Sequence, residues 1–418
     1  MKDMLDRLCR SAGLRRAVVA LFLAVWTPAA GAAAPDVGPV STDAREGVTV
    51  RVGLPGAAQV MATFGVPVLD KGIQPVWVEV ANATAESVWY LPITTDPTYY
   101  SPAEVAFRFR QAFRTAEDAA RDARFAANRM PLFVPPGATV SGFVFTHRED
   151  GLKFLSLGLL KGQERLAFRF ILPVPGAAEA DRLAQVMGRV PPALRVDVDL
   201  DALRARLEDL PCCTSNAAGT SRGDPLNLVI VGDGLATLFP FVQRGWRFAR
   251  RLGIESGAQM AVDFVLGRED DTAPVSPLYL FGRQQDLAIQ KARNTISERN
   301  HLRLWLTPLM FEGKNVWAGQ ISRDIGVEYT TKSWYGTTHK IDPQVDFDRE
   351  YLLQDLILAS AVSRFGYVRG VGRSAPPDPR TNLTGDPYVT DGLRLVVVLR
   401  EPEPPGQGIT VLPWARPD

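Results

Sequence analysis

His301-Leu302-Arg303-Leu304-Trp305-Leu306-Thr307 is the stretch on which the fold reading turns. Leucine takes every second position, and His301, Arg303 and Trp305 take the positions between. Successive side chains of a strand point to opposite faces. One face is therefore leucine. The other sets an imidazole, a guanidinium and an indole in a row.

Outward from this strand, the C-terminal half has a mixed texture. Residues 226–231 and 278–281 read as strands, 316–329 as a longer strand or strand pair, and 393–399 as a last strand. Residues 234–250 read as a helix with Leu235, Leu238, Phe239 and Val242 on one face, and Asp233 as its cap. Asp342-Pro343 reads as a helix start, because Asp caps and Pro tolerates the first turn. Leu352, Leu353, Leu356 and Ile357 give that helix its buried face. Strands mixed with two or three helices predict an α+β domain over residues 221–402, followed by a tail at 403–418.

The N-terminal half is β in texture. Val48, Val50 and Val52 alternate with polar residues, as do Val76, Val78 and Val80. That period predicts half-buried strands. Residues 115–130 interrupt them as a helix, with Thr115 as cap and Asp118 three residues on. The reading over 46–178 is an immunoglobulin-like β-sandwich with one inserted helix. His147-Arg148-Glu149-Asp150 reads as a solvated hairpin turn. A connector spans 179–220. Within it Leu200, Leu203, Leu207 and Leu210 share a helical face, Asp199 caps it, Pro211 stops it, and 214–223 reads as a polar linker.

Residues 1–34 carry a basic start, an uncharged apolar run at 17–26 and small residues at 29–34. This reads as a cleaved signal peptide, since the apolar run is shorter than the roughly 20 residues needed to span a bilayer. The alternative is an N-terminal membrane anchor. Lys and Arg total 47 against 46 Asp and Glu, a net charge of +1, which gives no electrostatic reason to expect nucleic acid. Beyond Cys9 only Cys212 and Cys213 remain. They read as two small thiols packed in the connector, with a redox pair as the alternative.

The blocks PLNLVIVG (225–232), RGW (244–246), PLYLFGR (277–283), RNHLRLW (299–305), VWAG (316–319), Asp324 and THKIDP (338–343), running into Asp346 and Arg349, occur in order. This ordered set, over about residues 211–402, resembles the LssY-like C-terminal domain. Asn300 departs from the family pattern, which leads us to expect a second histidine there. The resemblance implies an association with membrane-embedded lipid-phosphatase modules. This sequence lacks the Pro-Ser-Gly-His segment of those enzymes, and Ser322-Arg323 stands far from His339.

The candidate ligand- or anion-binding residues are His301, Arg303, Trp305, Asp324, His339 and Asp342. They read first as a buried polar network that fixes the fold. Two readings compete with it: an anion held by Arg303, or a metal held by His301, His339 and a carboxylate. No cofactor motif is present, since Gly232-Asp233-Gly234 lacks the rest of a phosphate-binding loop. The function expected is an exported envelope protein that binds a partner protein or an anionic envelope component. The rival is a hydrolase of phosphate esters that uses the His/Arg/Asp face.

Overall fold

The computed structural model describes residues 37–110, 115–149, 151–176, 185–249, 276–292, 298–329 and 337–400, with side chains undescribed at 327–329 and 337–339. The leader, Asp150 and the tail lie outside the described residues. So do parts of the 179–220 connector. The chain is mostly β, arranged in several sheets with few helices. No described helix is long and apolar enough to cross a membrane.

In the N-terminal half, Val40–Arg45, Val48–Gly53, Ile73–Asn82 and Thr139–His147 form one four-stranded antiparallel sheet in that order. Phe133–Val134, Val88–Leu91, Leu152–Lys161 and Glu164–Pro173 form a second. The alternating valines of the first sheet and Leu155, Leu157, Leu159 and Phe168 of the second share one core. Period-two burial is what lets two such sheets face each other. The inserted helix is Ala116–Ala127, and Thr115 and Asp118 close a capping box at its start.

The C-terminal half is built on a sheet of nine described strands. Its main path runs Arg247–Phe248, Leu287–Ala292, Arg299–Phe311, Lys314–Tyr329, Leu228–Gly232, Arg394–Leu399 and Val362–Val368. Thr337–Ile341 and Val196–Val198 pair off this path. Leu302, Leu304 and Leu306 pack on one face with Leu352, Leu353 and Leu356 of helix Asp346–Leu358. Phe154 enters the same core from the N-terminal half and meets Phe239 and Phe248 at ring distances of 5.4 Å. On the opposite face, Leu203 and Leu207 of helix Leu200–Glu208 cover Val229, Val231, Val396 and Val398.

Several local expectations change. Residues 234–250 do not form one helix: a 3-10 turn at Gly234–Leu238 leads into Phe239–Gln243, which carries Pro240 at its start and ends before Gly245 at φ +82°. Asp233 is not its side-chain cap, and Asn315 Oδ1 accepts from Gly234 N instead, at 3.0 Å. Asp342 does not open the next helix. It accepts from Gln344 N at 2.9 Å, tightening a turn, and the helix begins at Asp346. The stretch read as a linker folds as a hairpin between Cys213–Ser215 and Arg222–Pro225.

Candidate functional site

Register explains why the candidate residues meet. His301 lies opposite Ser322 and Gln290, and Arg303 opposite Gln320. Cross-strand partners share a face, so Arg299, His301 and Arg303 stand with Gln290, Gln320, Ser322 and Asp324. All seven are buried. His301, 5% exposed, contacts the Asp324 carboxylate through Nε2, and Arg299 Nε lies 3.6 Å from the same oxygen. Arg303 Nη1 donates to Gln320 Oε1 at 2.8 Å, and its Nε and Nη2 donate to the Ser276 carbonyl at 3.3 and 3.2 Å.

Electrostatics set the protonation of this face. Burial, then the charges of Arg299 and Arg303, hold the His301 imidazole well below its ordinary pKa. A neutral ring that gives its Nε2 proton to Asp324 fits that field. Burial also lowers Arg303, which Asp224 and Asp324 partly offset. Asp224 is buried and its carboxyl is raised, first by burial, although Arg303 and the Asn382 amide pull it down. Among the described residues, His301 Nδ1 and Gln320 Nε2 find no hydrogen-bond partner.

The other candidates are placed differently. Trp305 is fully buried among Leu226, Leu278, Leu280 and Ala318, and its Nε1 donates to the Arg283 carbonyl at 3.3 Å. His339 pairs its backbone with Val327, and its side chain lies outside the described residues. Asp342 bonds to Gln344 as above and to the Arg323 carbonyl through its own N–H at 2.8 Å. Among the described residues no three His, Cys, Asp or Glu side chains gather closely enough to hold a metal ion. Cys212 and Cys213 are joined to each other as an adjacent disulfide. They are therefore not the two packed thiols expected.

Two features escaped the sequence reading. The first is a second buried charge cluster. His147 Nδ1 meets Asp96 Oδ2 at 2.9 Å, and Arg247 bridges Asp96 at 3.3 Å and Glu149 at 3.1 Å. Lys153 lies 3.6 Å from Glu149 and donates to the His147 carbonyl at 2.5 Å. His147 therefore ends a strand and enters an ion network, where a solvated turn was expected. Asp96 and Arg247 come from two distant segments, 51 and 100 positions away, so no local spacing could reveal the cluster.

The second is an apolar groove of about 430 Å³ between helix Leu200–Glu208 and strand Val362–Val368. Leu203, Leu207, Val396 and Val398 line its depth, and Arg204 and Arg364 stand at its rim. Phe365 and Tyr367 border it along the strand, but their side chains share the other face of the sheet with Val397 and Leu395, where the Tyr367 hydroxyl donates to Glu350 at 2.7 Å. Strand Val362–Val368 ends the sheet, and no described strand pairs with its outer edge. Phe365 is 53% and Tyr367 40% exposed. The valine and aromatic run from 362 to 368 was the available signal for this strand.

Residues 201–393 match the LssY C-terminus family. This part of the chain is similar to the LssY C-terminus, as the ordered blocks implied, and the match begins within helix Leu200–Glu208. Both walls of the groove and the His301 face fall inside it. No curated protein matches the chain.

Proposed function

We propose, with the match of residues 201–393 as the premise, that this is an exported envelope protein that works by binding. In this reading a leader at 1–34 directs export or anchors the chain. An immunoglobulin-like β-sandwich precedes the LssY-like α+β domain. The partner is an envelope protein that lays an extended apolar segment along strand Val362–Val368 and into the adjoining groove.

The observation that carries the reading is a contrast along one face of the central sheet. At one end the His301, Arg303 and Asp324 side chains are buried and bonded to protein groups. At the other end stand an apolar groove and a strand edge that no described strand pairs with. An uncovered edge beside an apolar groove supplies backbone bonding and side-chain pockets together, which is how extended peptides are taken up. A protein segment fits better than an anionic component, because Arg204 and Arg364 at the rim are each already paired, with Glu208 and Glu312. A second reading, a ligand or phosphate-ester hydrolase site at His301 and Arg303, draws support from His301 Nδ1 and Gln320 Nε2, which have no hydrogen-bond partner among the described residues.

The test places a photo-crosslinking amino acid at Arg364, whose side chain is half-exposed on the groove face, and, as control, at Phe347, which is 63% exposed away from the groove. The expected result is one discrete adduct, in cells, from position 364 and none from 347. Equal adducts at both positions, or none at either, would overturn the binding reading. Phosphate-ester hydrolysis that disappears in His301→Asn at unchanged melting temperature would replace it with the hydrolase.

A further inference from the structure

The Cys212–Cys213 disulfide joins neighbours in sequence, with Cα atoms 3.7 Å apart. A bridge stabilises a fold by closing a loop of chain, and the gain grows with the length of that loop. Here no residue lies between the two cysteines. The bridge links no separate elements, so it is not a staple. What it fixes is the one peptide unit inside its own eight-membered ring.

That peptide lies at a joint. Helix Leu200–Glu208, one wall of the groove, runs through Asp209, Leu210 and Pro211 straight into the pair. Cys213 then begins the hairpin whose neighbours cover the same face of the central sheet. The carbonyls around the joint are held by one side chain. Arg394 is fully buried and grips the Leu207 carbonyl, the Leu226 carbonyl at 2.7 Å and the Pro211 carbonyl at 2.9 Å. Leu226 N in turn donates to the Cys212 carbonyl at 2.8 Å. The partners shown for this guanidinium are carbonyls, and burial brings its pKa down to about 10. A charge stabilised this way depends on where those carbonyls point.

We propose that Cys212–Cys213 is a thiol–disulfide switch that sets the helix wall of the groove. Cys212 is half-buried and reachable, whereas Cys213 is buried with its Sγ 3.9 Å from the Tyr388 hydroxyl. A thiolate of an external dithiol reductant attacks Cys212 Sγ. The S–S bond breaks, and its electron pair leaves on Cys213 Sγ, which takes a proton. The second thiol of the reductant then attacks the mixed disulfide. The reductant leaves as its own disulfide, and Cys212 leaves as a thiol after a second protonation. Two electrons and two protons enter the protein. Opening the ring frees the 212–213 peptide, moves the Pro211 and Cys212 carbonyls, and loosens the end of helix Leu200–Glu208. The consequence for a partner rests on the groove reading; the switch itself does not.

The test uses the full chain carrying Cys9→Ser, purified from an oxidising compartment without reductant. Maleimide-polymer labelling counts thiols before and after dithiothreitol, and hydrogen exchange is followed on both forms. The expected result is no label before reduction and two labels after it. Exchange in residues 200–215 should rise about threefold or more on reduction, with the rest of the central sheet unchanged. Cys212→Ser/Cys213→Ser should show the raised exchange without reductant. Free thiols before reduction, unchanged exchange at 200–215, or a uniform rise over the whole chain would each overturn the proposal. Absence of the adduct from position 364 with this switch intact would sink only the groove reading.

Discussion

A histidine sits on an aspartate in two places in this molecule, and the surroundings treat the two pairs in opposite ways. At Asp96–His147 the cations Arg247 and Lys153 stand against the carboxylates Asp96 and Glu149, so charge is balanced locally. Burial alone would raise the Asp96 carboxyl. The His147 hydrogen bond and the charges of Arg247 and Lys153 instead hold it well below the carboxylate range. The His147 side chain is 27% exposed. At Asp324–His301 two arginines flank the ring and burial is deeper, so the imidazole is kept neutral. The first pair is an ion network closed by its own charges. The second is a polar patch whose histidine serves as a neutral donor. A His–Asp pair is therefore not a function in itself; the neighbouring cations decide what it is.

The largest expected effect tests that difference directly. Asp96→Ala leaves Arg247, Lys153 and His147 around a lost carboxylate, and breaking such a buried pair costs about 3–5 kcal/mol. Asp324→Ala should cost less, about 2–3 kcal/mol, because Asp224 remains near Arg303 to take part of the field. Urea denaturation of both variants gives the order. If Asp324→Ala is the more damaging, the charge balance assigned to the two clusters is wrong.

The clusters differ in how much of them the sequence reveals. Alternation along 301–307 was enough to put His301, Arg303 and Trp305 on one buried face, because a strand imposes period two. Asp324 follows from the neighbouring strand once the register is known, and so do Gln320 and Ser322. Asp224 does not, since it approaches from a separate hairpin. The Asp96 cluster was invisible for the same reason: it joins a turn, a strand end and a residue a hundred positions away in the other half. The helix read at 234–250 failed on local chemistry, where Pro240 and Gly245 cut the apolar periodicity short. The groove could not be read, because its walls at 200–208 and 362–368 meet only through tertiary packing.

The next effect separates the clusters by pH. In the unfolded chain His301 takes a proton near its ordinary value of about 6.5, while the folded ring resists it. Below that value the unfolded state binds more protons, so stability falls as pH falls, by at most about 1.4 kcal/mol per unit. His301→Gln removes this slope. Asp96 behaves otherwise. Its folded carboxyl is depressed, so its contribution is complete above about pH 4 and is lost only as pH falls further toward the folded value. Urea unfolding of the wild type and His301→Gln between about pH 7 and 5 should give curves that diverge. Parallel curves would mean that burial and the two arginines do not hold the His301 ring below its ordinary value.

The smallest effect belongs to the groove rim, and its smallness is informative. Arg364 pairs with Glu312 where both side chains are half-exposed, at 50% and 51%. Its guanidinium also lies 5.4 Å from the centre of the Phe311 ring. Water screens such a pair, and two long side chains lose freedom to form it, so Arg364→Ala should change stability by no more than about 0.5 kcal/mol. The buried clusters hold charges that the fold needs, whereas the rim holds charges that it does not. A side chain without a folding role can be altered while the sheet edge beneath it stays in place. If Arg364→Ala instead destabilised the chain as much as Asp324→Ala, the rim would be part of the fold's own charge network. The groove would then lose its standing as a surface left open for a partner.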